Sequence, residues 1–262
     1  MNDELKASFA ICCVPVSPMR SEPSHKSEMI NQQLFGEPCI VIERARDQWV
    51  KIQSRYEDYE GWCQEGHITM IEEEQYLSKE NEFMCDWINE VDYNGKKMNV
   101  PLGSSLTAIT GDKVNWKKNT IHFKGSRWNS DNATRNEETI RKISFMFLNT
   151  SYLWGGKSVF GIDCSGFSQT VYKFLNVPLP RDSFQQAALG EAIGFVMESR
   201  CGDLAFFDNA EGKITHVGIM LNDHEIIHSS TKVRVDKIDS QGIINQDTFE
   251  RTHRLRIIKR YF

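Results

Sequence analysis

The sequence lacks a long apolar run, an excess of basic residues and any C-x-x-C cysteine pair, and each absence excludes a class of protein. The first apolar run, FAICCVPV, is too short to span a bilayer, and no basic segment precedes it, so membrane insertion is not predicted. Lys and Arg total 31 against 36 Asp and Glu, and a net charge of −5 offers no basic surface for nucleic acid. The seven cysteines form no C-x-x-C motif, which predicts reduced thiols. We expect a cytoplasmic protein, or a periplasmic or cell-envelope one if a leader sequence precedes the chain in nature.

The composition that is present predicts an α+β protein of several modules. A content of 40% hydrophobic and 11% aromatic residues is typical of a globular protein, and 262 residues exceed one ordinary domain. Short β-rich runs separated by turn residues predict a small barrel over 1–71. Gly36 and Trp49 are spaced like Gly103 and Trp116, which favours a second, divergent β module over 72–128. A third domain is predicted over 135–262, with helices ahead of an antiparallel sheet and a Thr134–Glu137 capping box at its first helix.

A cysteine at the start of a helix is the first candidate for chemistry. In GIDCSGFSQTVYKFL, the apolar residues after Cys164 recur at helical spacing, and Pro178 follows the segment. Backbone N–H groups and the helix dipole at this end favour a thiolate, so we expect the pKa of Cys164 to lie below its free value and expect activity to fall in acid. The alternative is a small apolar residue that happens to begin a helix.

Two histidines are candidates for the base that such a nucleophile needs. A hairpin centred on Asp223 would pair Gly218 with His228 and place His216 diagonally opposite on the same face, where the two rings can meet. Val217 and its alternate neighbours would form the core face, leaving the histidine face open. Buried structural histidines, or a zinc site made of the thiol and both imidazoles, are the alternatives. No metal or organic cofactor is predicted.

Five segments together resemble the NlpC-type family of papain-like cell-wall cysteine peptidases: YLWGGKSVFGIDCSGF, LPRDSFQQ, GDLAFFD, ITHVGIML and IIHSS. The resemblance covers roughly 135–262 and implies a papain-like domain with a Cys–His–His triad. Cys164 would attack the substrate carbonyl, His216 would move the proton, and His228 would orient His216. It further implies that substrate is contacted by Tyr152, Asp163, Ser165 and Ser183.

The first half is similar to bacterial SH3-like modules, and the whole chain is most similar to the dipeptidyl-peptidase VI subfamily. That similarity implies that Glu28 and Tyr59 bind the free amine of an N-terminal L-Ala, with Glu22 and Tyr56 as competing choices. The expected substrate is a peptidoglycan-derived peptide, cut at its γ-D-glutamyl-diamino acid bond to release L-Ala-γ-D-Glu in muropeptide recycling. An amidase or acyltransferase of the same fold, or a non-catalytic peptidoglycan-binding protein, are the alternatives. The sequence predicts no particular oligomeric state.

Overall fold

The chain forms two compact units in a computed structural model that describes residues 8–109 and 111–262. The first unit comprises the described residues up to Ser130 together with Lys157–Val159. The second comprises Asp131–Gly156 and Phe160–Phe262. The predicted α+β class with an N-terminal SH3-like all-β region is confirmed, whereas the predicted boundary at 71/72 stays a prediction.

The first unit is built almost entirely of short strands. They are Ser8–Cys12 (β1), Val16–Arg20 (β2), Met29–Leu34 (β3), Pro38–Arg44 (β4), Trp49–Ser54 (β5), Glu60–Gln64 (β6), Ile68–Met70 (β7), Glu82–Met84 (β8), Ile88–Tyr93 (β9), Lys96–Pro101 (β10), Lys113–Trp116 (β11), Asn119–His122 (β12), Arg127–Asn129 (β13) and Lys157–Ser158 (β14). An α-helix, Glu73–Leu77 (α1), joins β7 to β8, and a 3-10 helix, Glu65–His67, precedes β7. Strands β1 to β7 form one sheet in the order β3-β2-β6-β5-β4-β1-β7, and β9 to β12 form a second in the order β10-β9-β12-β11.

The two sheets of the first unit share one apolar core. Ile11 and Phe35 from the first sheet region pack with Trp116, Ile121 and other buried residues of the second. Gly36 makes this approach possible, because a Cβ there would lie 2.0 Å from the carbonyl oxygen of Ser105.

A buried ion cluster lies in the same unit, and it gives a stability prediction. Lys157 Nζ lies 3.2 Å from Glu37 Oε2 and 3.4 Å from Glu57 Oε1, and all three side chains are at most 3% exposed. Lys157→Met removes the ammonium that both buried carboxylates share, so we expect the free energy of unfolding to fall by about 3–5 kcal/mol. Chemical denaturation measures this change.

The matched control is Lys51→Met, because Lys51 pairs with Glu60 at 2.6 Å where both side chains are solvated. That variant should lose no more than about 1 kcal/mol. Equal losses in the two variants would contradict the role given to burial.

The second unit combines three α-helices with a seven-stranded sheet. Its helices are Glu137–Phe145 (α2), Cys164–Phe174 (α3) and Ser183–Ala187 (α4). Its strands are Gly161–Ile162 (β15), Glu191–Ile193 (β16), Leu204–Asp208 (β17), Ile214–Met220 (β18), Glu225–Ser230 (β19), Lys232–Asp239 (β20), Gly242–Ile244 (β21) and Arg251–Arg260 (β22). The sheet order is β16-β22-β17-β18-β19-β20-β21, and a further pairing of β21 with β22 closes six strands into a ring.

The register of this ring places apolar and histidine side chains on one inner face. Phe207 pairs with His216, Gly218 with His228, and Met220 with Ile226. Because alternate residues of a strand share a face, the inner face carries the two histidines and the apolar cluster of Met220 and Ile226. The expectation of an open histidine face is therefore wrong: strand closure covers it.

Helix α3 begins at Cys164, as the sequence predicts, and it is buried along its whole length. The N-cap of α2 is Asn136, whose side chain accepts a hydrogen bond from the Thr139 N–H, so the predicted Thr134 cap is wrong by two residues. Thr134 instead accepts the Asn136 N–H through its carbonyl. Among the described residues, no helix has the length and apolarity to cross a membrane.

Candidate active site

The β18–β19 hairpin brings the two predicted histidines into contact. Its register pairs Gly218 with His228, which confirms the predicted pairing. His216 Nε2 lies 2.8 Å from His228 Nδ1, and the rings meet edge to face. Gly218 leaves the space this needs, because a Cβ there would lie 2.8 Å from His228 Cβ. Both imidazoles are buried, and burial lowers the pKa of each. They are therefore neutral at neutral pH.

The thiol is held at the start of α3 by a tightly packed turn. Asp163 is the N-cap, and its Oδ1 accepts the Gly166 N–H at 2.7 Å. Gly166 allows the preceding turn to pack directly on the helix, because a Cβ there would lie 2.4 Å from the Gly156 carbonyl oxygen. The turn at 154–156 and the start of α3 thus fix the position of Cys164 through backbone contacts.

The environment of the sulfur overturns one expectation. Burial raises the pKa of the Cys164 thiol to about 12, and the Asp163 carboxylate adds to this effect. The Val217 N–H, the Arg181 guanidinium and the Ser165 N–H act in the opposite direction but are outweighed. The expected low thiol pKa is wrong for the substrate-free chain, because burial outweighs the favourable helix terminus. Cys164 and His216 are therefore both neutral in the substrate-free chain. The Val217 N–H contacts the sulfur, so Cys164 Sγ lies beside the peptide bond that follows His216.

A buried arginine that the sequence reasoning missed organises the residues around the thiol. Arg181 Nη2 donates to Asp163 Oδ2 at 2.6 Å, and its Nη1 donates to Asp163 Oδ1 at 3.0 Å and to Ser165 Oγ at 2.9 Å. The Gly155 N–H also donates to Asp163 Oδ2 at 2.8 Å. Asp163 and Ser165 therefore support the turn, and their predicted substrate contacts stay predictions. In the sequence, Arg181 is marked only by its position in the LPRDSFQQ segment.

Tyr152 lies beside the thiol. Burial raises the pKa of its phenol, and the neighbouring Cys164 and Asp163 add to the effect. Tyr152 is therefore a protonated hydrogen-bond donor at neutral pH. Ser183 is the first residue of α4, and Gln186 of the same helix donates to the Ser165 carbonyl at 3.1 Å. The substrate contacts assigned to Tyr152 and Ser183 remain predictions.

The predicted amine-binding residues lie in the first unit. Glu28 is exposed at the end of a turn, where its carbonyl accepts the Ser21 N–H at 3.0 Å. Tyr59 is half-buried and packs against the apolar cluster around Val50 and Ile52. Glu22 is exposed and Tyr56 is half-buried. Binding of the amine by Glu28 and Tyr59, rather than by Glu22 and Tyr56, stays a prediction.

Two further residues of the ring contact the histidine pair. His253 stacks on His216 with ring centroids 4.1 Å apart. Asp236 Oδ2 lies 3.0 Å from His228 Nε2. Asp236 lies on β20, the strand that follows His228 in the sequence, and His253 lies on β22; no motif marks either residue. In the part of the chain that the structure describes, no group of three His, Cys, Asp or Glu side chains is arranged to hold a metal ion.

Comparison with known proteins agrees with this geometry. Residues 149–252 match the NlpC/P60 family, and residues 19–68 match the bacterial dipeptidyl-peptidase SH3 domain. The chain is 30% identical over 257 residues to the gamma-D-glutamyl-L-lysine dipeptidyl-peptidase of Bacillus cereus, covering 85% of this chain and 74% of that protein. It is 25% identical over 261 residues to dipeptidyl-peptidase 6 of Lysinibacillus sphaericus, covering 88% and 92%.

The fold is also found in a solved structure. A crystal structure of an NlpC/P60 family protein from Bacillus cereus superposes with a TM-score of 0.80 at 22% identity, covering 97% of this chain and 99% of that one. The sequence relatives agree with the cysteine at a helix start and with the hydrogen-bonded histidine pair. The chain therefore belongs to the NlpC/P60 family and is a cysteine peptidase.

Proposed function

We propose that this peptidase hydrolyses the γ-D-glutamyl-diamino acid bond of peptidoglycan-derived peptides that carry a free N-terminal L-Ala, releasing L-Ala-γ-D-Glu. The observation that supports this chemistry is the buried, hydrogen-bonded pair of His216 and His228 next to the Cys164 thiol at a helix start. The substrate is supported by the Bacillus cereus relative named gamma-D-glutamyl-L-lysine dipeptidyl-peptidase and by the matching SH3 domain.

The acylation step follows from two neutral partners. Cys164 Sγ attacks the amide carbonyl carbon while its proton passes to His216, so charge separates only as the carbon–sulfur bond forms. The Cys164 N–H and the Tyr152 phenol stabilise the oxyanion. His216 then gives its proton to the departing amine, and the carbon–nitrogen bond breaks to leave a thioester.

Deacylation reverses the roles. Water gives a proton to His216 as it attacks the thioester carbonyl, and the thiolate leaves and recovers that proton. The products are the dipeptide acid and the amine of the remaining peptide, and no other reactant is consumed. A peptidase of this specificity spares stems whose alanine is still joined to glycan, so we place it in muropeptide recycling, in the cytoplasm.

The test compares L-Ala-γ-D-Glu-L-Lys with its N-acetylated form, and then the meso-diaminopimelate pair, with products identified by mass spectrometry. The free peptides should have at least about 10-fold higher kcat/KM, because acetylation removes the ammonium group, and a hydrogen bond to a charged group contributes about 1.5–3 kcal/mol. Equal cleavage of the free and acetylated peptides would contradict recognition of the amine while leaving the peptidase intact.

The residue that binds the amine is tested by paired variants. Glu28→Gln should raise KM for the free peptide and leave the acetylated one unaffected, because only the free peptide carries an ammonium group. Glu22→Gln is the matched control, since both carboxylates belong to the same exposed segment. An effect confined to the Glu22 variant would transfer the role to that residue.

A further inference from the structure

A buried carboxylate stands behind the histidine pair. Asp236 lies on β20 opposite Ile226, and its Oδ2 is 3.0 Å from His228 Nε2. Both side chains are 1% exposed, so this contact is shielded from water. His228 therefore has a polar partner on each ring nitrogen: Asp236 at Nε2 and His216 at Nδ1.

The carboxylate is ionised and can only accept hydrogen bonds. Arg234 Nη2 donates to Asp236 Oδ1 at 2.8 Å, the Gln246 N–H donates to the same oxygen at 2.9 Å, and Arg234 Nε lies 2.8 Å from Oδ2. Burial by itself would raise the pKa of Asp236, but hydrogen bonds from His228, Gln246 and Arg234 hold it below its usual value. An ionised carboxylate has no proton to donate, so the hydrogen in the contact with His228 belongs to the imidazole.

This assignment fixes the next hydrogen bond. A neutral imidazole carries one N–H, so a proton on His228 Nε2 leaves a lone pair on Nδ1. That lone pair faces His216 Nε2 at 2.8 Å, so His216 is the donor and its own proton lies on Nε2. His216 Nδ1 then has a lone pair, which is the state a base needs to receive a thiol proton.

We propose that Asp236 is a positioning residue that sets the tautomers of His228 and His216 in turn, so that His216 keeps an unprotonated Nδ1 for the Cys164 thiol. The role in catalysis rests on the proposed function, whereas the tautomers do not depend on it. Asp236 touches no reacting atom and acts only through the two imidazoles.

An amide at this position would invert the chain of hydrogen bonds. In Asp236→Asn, the oxygen is favoured at the Oδ1 position, where two N–H groups donate, over the Oδ2 position, where Arg234 Nε is the one fixed donor nearby; this places the NH₂ group at His228 Nε2. His228 would then carry its proton on Nδ1 and donate to His216 Nε2. The proton of His216 would be on Nδ1, where it blocks acceptance from the thiol.

The first measurement is the ¹⁵N NMR spectrum of histidine-labelled full-length protein at neutral pH. In the wild type we expect protonated Nε2 and unprotonated Nδ1 on both His216 and His228, and in Asp236→Asn the reverse. Assignment uses single substitutions of each histidine. A wild-type His228 protonated on Nδ1 would overturn the proposal, and this test does not require the variant to fold.

The second measurement is kinetic. Asp236→Asn should lower kcat by about 10³-fold with KM nearly unchanged, as expected when the carboxylate behind a catalytic histidine becomes an amide. The alkylation rate of Cys164 by iodoacetamide should fall as well, since it too requires the thiol proton to leave. Unchanged tautomers together with unchanged kcat in the variant would overturn the proposal.

The matched control is Asp247→Asn. Asp247 Oδ2 contacts the same arginine, with Arg234 Nη1 at 2.9 Å, but its side chain is exposed and Asp236 lies between that arginine and His228. The Asp247→Asn variant should have the histidine tautomers and the kcat of the wild type. An equal loss of kcat in both variants would show that Asp236 acts only by holding Arg234. A wild type with the expected tautomers but no activity on the peptides would contradict the proposed function alone.

Discussion

Cys164→Ala should abolish peptide hydrolysis while leaving the fold intact. Removal of a nucleophile lowers kcat by at least about 10⁴-fold, because binding and oxyanion stabilisation alone supply little turnover. The thiol is buried but small, and its truncation should lower the free energy of unfolding by only about 1–2 kcal/mol. Peptide turnover and thermal unfolding, measured on the same preparation, separate these two effects.

The control is Cys201→Ala, which removes a half-buried thiol from the same unit and should retain full activity. Mass spectrometry after iodoacetamide treatment should place the inactivating label on Cys164. Wild-type protein that binds peptides without any thiol-dependent turnover would favour the non-catalytic binding protein. Transfer of the acyl group to an added amine in preference to water would favour the acyltransferase alternative.

The second large effect concerns the base. His216→Ala should lower kcat by about 10²–10⁴-fold, the usual contribution of a positioned general acid and base. His224→Ala is the matched control, because His224 lies in the turn of the same hairpin but is exposed and pairs with Asp223. Only the His216 variant should lose activity, and comparable losses would indicate damage to the hairpin.

The same base sets the pH profile. Burial lowers the pKa of His216 well below 6.5, with His228 and His253 adding to the effect, and the Cys164 pKa is raised to about 12. Activity requires neutral His216, so kcat/KM should stay constant through neutral pH and fall only below pH 6.5 as the imidazole gains a proton. An acid limb above pH 6.5, together with thiolate absorbance in the substrate-free protein at neutral pH, would show that a preformed ion pair is the resting state.

Much of the local structure could be read from the chain because it depends on neighbours in sequence. The start of α3 at Cys164 follows from its helical apolar spacing, and the Gly218–His228 pairing follows from strand alternation about a short turn. The α2 cap was misplaced because Thr134 and Asn136 are both good capping residues, and only the path of the preceding loop selects one.

Most of the features that were missed depend on contacts between segments far apart in the chain; Asp236 is the exception, since it lies on the strand that follows His228. Arg181 reaches Asp163 across the end of α3, and His253 reaches His216 only because β22 closes the ring of strands. The thiol pKa was misjudged for the same reason: the helix terminus is visible in the sequence, but the burial that opposes it is not.

The sequence by itself determined which residues supply the sulfur and the two imidazoles, because a helix start and a hairpin are set by local spacing. The tertiary structure alone decided their protonation states, since the closed ring of strands removes water from the imidazoles. Desolvation acts through space and depends on which distant segments exclude water, so no local pattern of residues could have revealed the protonation states.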